Sequence, residues 1–117
     1  MPADEPTTGP KVDAGELLPG MYRDGYFPNG LVDRVRDVLL DCCREIEAER
    51  PADLPALCAI TDRATGRIND LQDDFEDAGS EIETAAREEI CAAFGLIAET
   101  YGFPDADPED LAGDRDW

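Results

Sequence analysis

The sequence predicts an all-α fold, a small antiparallel three-helix bundle with a short fourth helix near its C-terminal end and a disordered N-terminal arm. Three long segments place apolar residues at intervals of three and four, which is the spacing of a buried helical stripe. No segment alternates polar and apolar residues as a half-buried strand does. Short connections containing proline or glycine join the segments, so consecutive helices are expected to be antiparallel neighbours.

The chain is predicted to divide into a flexible arm, residues 1–20, and one helical domain, residues 21–117. Prolines and scattered acidic residues interrupt the arm. Beyond Leu17 and Leu18 it holds little apolar surface whose burial would offset the entropy cost of ordering the chain. A length of 117 residues suits one domain with a modest core.

A hinge segment rich in aromatic residues precedes the first long helix. We expect its three aromatic side chains to clamp the start of that helix onto the bundle, because in water they would expose several hundred square ångströms of apolar surface. The tryptophan at the end of the polar C-terminal tail is also expected to dock. The alternative is a binding surface formed by Tyr22, Asp24, Tyr26, Phe27 and Trp117.

The first long helix is predicted over residues 31–49 and ends before Pro51, because the residue ahead of a proline avoids the helical conformation. Its buried stripe consists of Leu31, Val35, Val38, Leu39, Cys42 and Ile46. Five carboxylates at four-residue intervals form an acidic ridge on its outer side: Asp33, Asp37, Asp41, Glu45 and Glu49. Like charges at this spacing repel one another, and Arg34, Arg36 and Arg44 are expected to relieve part of the repulsion.

The second long helix is predicted to begin at Asp53, a favourable N-cap residue, and to end near Gly79. Pro55 is tolerated in its first turn because the missing N–H has no helical partner there. Its buried seam follows a heptad pattern through Leu54, Leu57, Thr61, Ala64, Ile68, Leu71 and Phe75.

The third long helix is predicted to begin at a capping box formed by Ser80 and Glu83 and to end before Gly102. Its buried face consists of Ile82, Ala86, Ile90, Ala93, Phe94, Ile97 and Tyr101. A short final helix is expected after the cap Asp107, with Pro108 at its first position.

Acidic residues outnumber basic ones by 29 to 10, and residues 68–117 hold 16 acidic and only 2 basic side chains. This field repels nucleic acid and anionic membranes, so neither is expected as a partner. Any macromolecular partner should be a basic protein, bound by a monomer or weak homodimer. No apolar run is long enough to cross a membrane and no secretion signal is present, which predicts a cytoplasmic protein.

The chain contains no histidine, which excludes Ser-His and Cys-His dyads, histidine zinc sites and carboxylate-histidine di-iron sites. Any catalysis would use carboxylates, thiols, tyrosines or a hard metal ion. The cysteines lack C-x-x-C spacing and are expected to be reduced and buried. Of the adjacent pair, only Cys42 is expected to face the core, because neighbouring helical residues point about 100° apart. Cys43 would then be the more reactive thiol.

The acidic side chains also allow a magnesium site, since carboxylates on facing helices can share a hard cation. The all-α nucleotide pyrophosphohydrolases use such an arrangement, although their motif is not present in this sequence. The apolar stripes place most of these carboxylates on the outside, which favours a solvated face. The candidate ligands are Asp37, Asp41, Asp70, Asp73, Asp74 and Asp77.

Several short motifs resemble the bacterial domain-of-unknown-function family numbered 5713. The resemblance covers residues 20–117 and implies one compact domain without an established activity. One difference is Gly30, where the family is expected often to carry histidine. The matching segments are Met21-Tyr22-x-Asp24-x-Tyr26-Phe27-Pro28, Leu31-Val32-Asp33, Asn69-Asp70-Leu71-Gln72, Gly79 to Thr84, Ala86-Arg87-Glu88, Tyr101-Gly102-Phe103 and Arg115-Asp116-Trp117.

The leading interpretation is a small cytoplasmic interaction protein, similar to immunity or antitoxin proteins, whose acidic surface binds a basic partner without a cofactor. The alternative is a magnesium-dependent all-α hydrolase that acts on a phosphorylated or nucleotide substrate. Carboxylates converging in a concave pocket would favour the hydrolase, and carboxylates spread over a convex face would favour the binding protein.

Overall fold

The computed structural model describes residues 12, 16–23, 25–82, 84–113 and 117. Most of the predicted arm, together with Asp24, Glu83, Arg115 and Asp116, lies outside these residues. The described residues form helices and no strand, which confirms the all-α prediction. No helix among them is both long enough and apolar enough to cross a membrane. The helices are α1 (Pro19–Arg23), α2 (Asn29–Glu49), α3 (Leu54–Asp77), α4 (Thr84–Thr100) and α5 (Pro108–Leu111).

The packing of α2 against α3 is antiparallel. Three arginines and their partners show this, because later residues of α2 pair with earlier residues of α3: Arg34 with Asp74 at 3.2 Å, Asp41 with Arg67 at 3.1 Å, and both Glu45 and Glu49 with Arg63 at 2.9 and 2.7 Å. The acidic ridge of α2 therefore lies beside arginines of α3. Arginines of the neighbouring helix thus relieve repulsion that the sequence pattern attributes only to arginines on the same helix, because the pattern along one helix contains no interhelical register.

Helix α4 runs parallel to α2 and so completes an up-down-up bundle. Near its start, Glu88 and Glu89 line a cleft with Phe27, which lies just ahead of α2. Just beyond its end, the Tyr101 hydroxyl donates a hydrogen bond to Glu47 near the end of α2. Helix α1 packs on α4, and α5 packs on α3 and α4. The three-helix bundle and the short C-terminal helix are thus confirmed.

The buried residues follow the predicted helical stripes, and a few residues differ from the prediction in their burial. Helix α2 also buries Val32 and Cys43, because α3 covers one side of it and α1 and α4 cover the other. On α3, Leu54 is 38 % exposed although the heptad pattern predicted it as buried. Leu54 is the first residue of α3 and lies beyond the end of α2, so no residue of the neighbouring helix is there to cover it.

Two of the three predicted N-caps are confirmed. The Asp53 side chain accepts a hydrogen bond from the Ala56 N–H at 3.0 Å, and the Asp107 side chain accepts one from the Glu109 N–H at 2.9 Å. The predicted capping box is not seen in the part of the chain that the structure describes, because α4 begins at Thr84 and the Ser80 hydroxyl has no hydrogen-bond partner among the described residues.

The end of α3 explains why Ser80 does not cap α4. The Ser80 N–H donates to the Phe75 carbonyl at 2.8 Å, and the Gly79 N–H donates to the Glu76 carbonyl at 3.0 Å. Gly79 adopts a φ of +79°, so these bonds form a Schellman turn that terminates α3. Ser80 therefore belongs to the end of α3, whereas the predicted capping partner Glu83 lies outside the described residues.

The core also extends into the segment predicted as an arm. Val12, Leu17 and Leu18 are all buried. Leu18 takes a left-handed φ of 58° immediately before α1, and α1 packs on α4. This reversal brings both leucines onto the bundle, so the packed domain begins before residue 21.

We predict that Leu17→Ala lowers the free energy of unfolding by about 2–4 kcal/mol, the usual cost of truncating a fully buried leucine. The neighbouring Glu16→Ala should change it by less than about 0.5 kcal/mol, because Glu16 is exposed. Chemical denaturation of both variants measures the two values. Equal, small effects would mean that the N-terminal segment contributes nothing to the core.

Candidate functional site

The hinge between α1 and α2 meets the α3–α4 turn at a cleft of about 450 Å³. We call this feature the hinge cleft. Because α2 and α3 are antiparallel, the start of α2 lies beside the end of α3. This register brings the hinge and the α3–α4 turn together, although they are far apart in the sequence. The hinge cleft is lined by Tyr26, Glu76, Gly79, Ser80 and Glu81.

Two adjacent aromatic side chains of the hinge, Tyr26 and Phe27, have different roles. Phe27 is 2 % exposed and belongs to the core, as the clamp prediction required. Tyr26 is 42 % exposed, contrary to that prediction. The two rings meet edge to face, with centroids 5.1 Å apart and planes at 75°. Phe27 thus anchors the hinge and supports the Tyr26 ring at the surface.

The Schellman turn at Gly79 places two carboxylates beside this ring. Glu76 lies on the last turn of α3 and Glu81 follows the reversal, and both are exposed. Neither forms an ion pair with any residue that the structure describes. Ser80 between them is 2 % exposed, and its Oγ has no hydrogen-bond partner in the described part of the chain. The cleft therefore combines an aromatic ring, two negative charges and a buried hydroxyl, which is a combination suited to a cation.

Tyr22 is committed to contacts within the protein. Its hydroxyl donates to Asp33 Oδ1 at 2.5 Å, and the Arg36 guanidinium carbon lies 5.4 Å from its ring centroid. Burial, followed by the hydrogen bond to Asp33, raises the pKa of Tyr22 to about 12. Tyr22 therefore ties α1 to α2 and lies outside the hinge cleft.

Trp117 is buried as expected, and its backbone oxygen accepts a hydrogen bond from Arg87 Nε at 3.1 Å. Asp24 lies outside the described residues. Of the five side chains proposed from the sequence as a binding surface, the structure places Tyr26 in the hinge cleft. The sequence pattern does not indicate Glu76 and Glu81 as site residues, because the turn between them has the pattern of a helix cap.

The six candidate magnesium ligands are distributed over the α2–α3 face. Asp41 pairs with Arg44 at 2.6 Å and with Arg67 at 3.1 Å, and Asp74 pairs with Arg34. The other four candidates are exposed: Asp37, Asp70, Asp73 and Asp77. Asp37 and Asp70 line one shallow groove together with Arg34 and Arg67. Among the described residues, no group of three or more cysteine or carboxylate side chains is arranged to hold a metal ion.

The four cysteines are free thiols. Cys42 and Cys43 are both completely buried, so the expectation that only Cys42 faces the core is wrong. Helix α2 is covered on two sides, which accommodates two side chains that point in different directions. Burial is the main cause that raises the pKa of Cys42 to about 12 and that of Cys43 to about 11. Cys43 is therefore not an activated nucleophile.

We predict that iodoacetamide at pH 8 alkylates Cys42 and Cys43 in the folded protein only as fast as the protein unfolds, because both are buried and protonated. Cys58 and Cys91 are half-buried and should react first. Peptide mass spectrometry after timed labelling compares the four sites. Native labelling of Cys43 as fast as that of Cys91 would contradict the prediction.

The raised pKa values of Cys42 and Cys43 also make the free energy of unfolding depend on pH. An unfolded thiol ionises near its ordinary pKa of 9, whereas these two thiols stay protonated in the folded protein until about pH 11–12. Their contribution to the free energy of unfolding is therefore complete below pH 9 and declines as the pH rises above it. In Cys42→Ala this alkaline decline should be shallower.

We predict that Phe27→Ala lowers the free energy of unfolding by about 3 kcal/mol, a usual cost for a buried phenylalanine. Tyr26→Ala should cost less than about 1 kcal/mol, since the Tyr26 ring is largely in solvent. Denaturant titration of both variants tests this division. If both variants lose the same stability, the exposed ring is part of the clamp.

Comparison with known proteins places the chain in a family. Residues 11–117 match the model of a family described as a family of unknown function, DUF5713. No curated protein and no solved structure matches the chain significantly. The family match begins ahead of Val12 and includes the buried Leu17 and Leu18, so it agrees with the extent of the core. The match spans nearly the whole chain, and the protein belongs to the DUF5713 family.

Proposed function

We propose that this protein is a protein-binding module that recognises a basic segment of a partner protein, in the manner of immunity and antitoxin proteins. The hinge cleft receives one arginine or lysine side chain of that segment. The observation that carries the proposal is the exposed Tyr26 ring beside Glu76 and Glu81, two carboxylates without an ion pair among the described residues.

The cleft chemistry favours arginine over lysine. A guanidinium group stacks on an aromatic ring and donates two parallel hydrogen bonds to a carboxylate, whereas an ammonium acts as a point charge. A cation over an aromatic ring contributes about 0.5–1 kcal/mol at an exposed site.

The distribution of charge supports a basic partner. Within α2 and α3, five arginines pair with carboxylates: Arg34, Arg36, Arg44, Arg63 and Arg67. From residue 68 onward only two basic residues accompany 16 acidic ones, and one of them, Arg87, is bound to Trp117. The unbalanced negative charge therefore lies on the part of the chain that contains Glu76 and Glu81. Such a field steers a basic partner towards the cleft.

The amino-acid composition supports a location, an oligomeric state and a class of partner. We place the interaction in the cytoplasm, where four thiols stay reduced. The high net charge favours a monomer or weak homodimer and disfavours nucleic acid as a partner.

The test is fluorescence anisotropy with a labelled peptide of alternating glycine and arginine. We predict that Glu76→Gln with Glu81→Gln weakens binding about tenfold, because it removes both carboxylates that meet the guanidinium. The matched control is Glu99→Gln with Asp110→Asn, which removes the same charge from exposed positions outside the cleft and should weaken binding about twofold or less. Tyr26→Ala should also weaken binding, and a citrulline peptide should not bind.

Two outcomes would contradict the proposal. Equal weakening by the two double variants would mean that the peptide responds to net charge alone and that the cleft is not a site. A saturable rise in Tm with magnesium, beyond that produced by matched ionic strength, would favour the magnesium-dependent hydrolase acting through the α2 and α3 carboxylates.

A further inference from the structure

A second concave feature lies at the opposite end of the bundle from the hinge cleft. It has a volume of about 490 Å³ and lies where α2 turns into α3 and α4 turns towards α5. We call it the end pocket. Its lining residues are Ile46, Glu47, Arg50, Pro51, Tyr101 and Phe103.

The walls of the end pocket are mainly apolar and aromatic. Ile46 is a core residue, and Tyr101 and Phe103 are partly buried against the core. A Schellman turn fixes Phe103, because its N–H donates to the Ala98 carbonyl at 2.8 Å and Gly102 takes a φ of +95°. These walls are therefore held by backbone geometry before any ligand binds.

The acidic side chain in the wall already has a donor. The Tyr101 hydroxyl donates a hydrogen bond to the Glu47 carboxylate, which also orients the Tyr101 ring. The Arg50 guanidinium also lines the pocket and forms no ion pair with a described residue. The five arginines within α2 and α3 all pair with carboxylates, whereas Arg50, which ends α2, does not pair with one in the described part of the chain.

The backbone holds Arg50 in place at the pocket. Arg50 ends α2 with a φ of 49° and a ψ of 64°, and its N–H donates to the Ile46 carbonyl. A left-handed conformation is unfavourable for a residue with a side chain, and glycine is the usual choice at such a helix end. Here the position carries a cation instead, beside an aromatic wall.

We infer that the end pocket binds a small aromatic monoanion such as an aromatic carboxylate. The planar guanidinium of Arg50 matches a carboxylate with two parallel hydrogen bonds. Tyr101, Phe103 and Ile46 supply apolar surface for a ring. The net charge of −19 disfavours ligands with several negative charges, nucleotides among them.

The test uses two fluorescent probes with the same ring system. 1-Anilinonaphthalene-8-sulfonate carries one negative charge, and N-phenyl-1-naphthylamine is its neutral counterpart. We predict saturable binding of the anionic probe at one site and about tenfold weaker binding in Arg50→Gln, while the neutral probe is unaffected. Phe103→Ala should weaken binding of both probes. Benzoate should displace the anionic probe, and benzyl alcohol should not.

The matched control is Arg44→Gln, which removes an exposed arginine elsewhere on α2 and should leave both probes unaffected. Because the anionic probe also binds partly unfolded proteins, every variant is first shown to keep the parental Tm. The charge inference is overturned if Arg50→Gln and Arg44→Gln weaken the anionic probe equally, or if Arg50→Gln weakens both probes. Absence of saturable binding overturns the site itself. Glu76→Gln with Glu81→Gln should leave probe binding unchanged, so this result is independent of the hinge cleft.

Discussion

The antiparallel packing of α2 against α3 is the constraint on which the other features depend. Its apolar seam supplies the centre of the core, and the arginines of α3 lie beside the carboxylates of α2. Exposed ion pairs of this kind contribute little individually. They nevertheless disfavour a shift of register, because such a shift would bring the regularly spaced carboxylates of α2 together without arginine partners. The register in turn decides which loops meet at each end of the bundle.

Both candidate sites lie at chain reversals with constrained backbones. Gly79 reverses the chain at the hinge cleft, and Gly102 and Arg50 do so at the end pocket. A residue with left-handed backbone dihedral angles at a chain reversal fixes the direction of the residues on either side of it. It therefore presents side chains in a set geometry without requiring them to enter the core. In this bundle the helices provide stability, and the turns provide the surfaces suited to binding.

The electrostatics of the protein also depend on the tertiary structure. The carboxylates of the acidic ridge repel one another along α2. In the folded protein, however, Arg63 and Arg67 of α3 lie beside them. The later part of the chain lacks such arginines, so its carboxylates stay unbalanced. The first part of the chain thus has partly compensated charge, and the later part carries most of the negative field available to a partner.

The sequence by itself determined the features that depend on neighbours a few residues apart. Helical periodicity, the caps at Asp53 and Asp107 and the all-α class follow from local geometry and local hydrogen bonds. Only the tertiary structure decided the burial of Cys43, the exposure of Leu54 and the inclusion of Leu17 in the core. It also decided that Tyr26 lines one cleft with Glu76 and Glu81, and that Arg50 lines one pocket with Tyr101. These outcomes depend on which distant helix covers a side chain, and a pattern read along one helix does not contain that information.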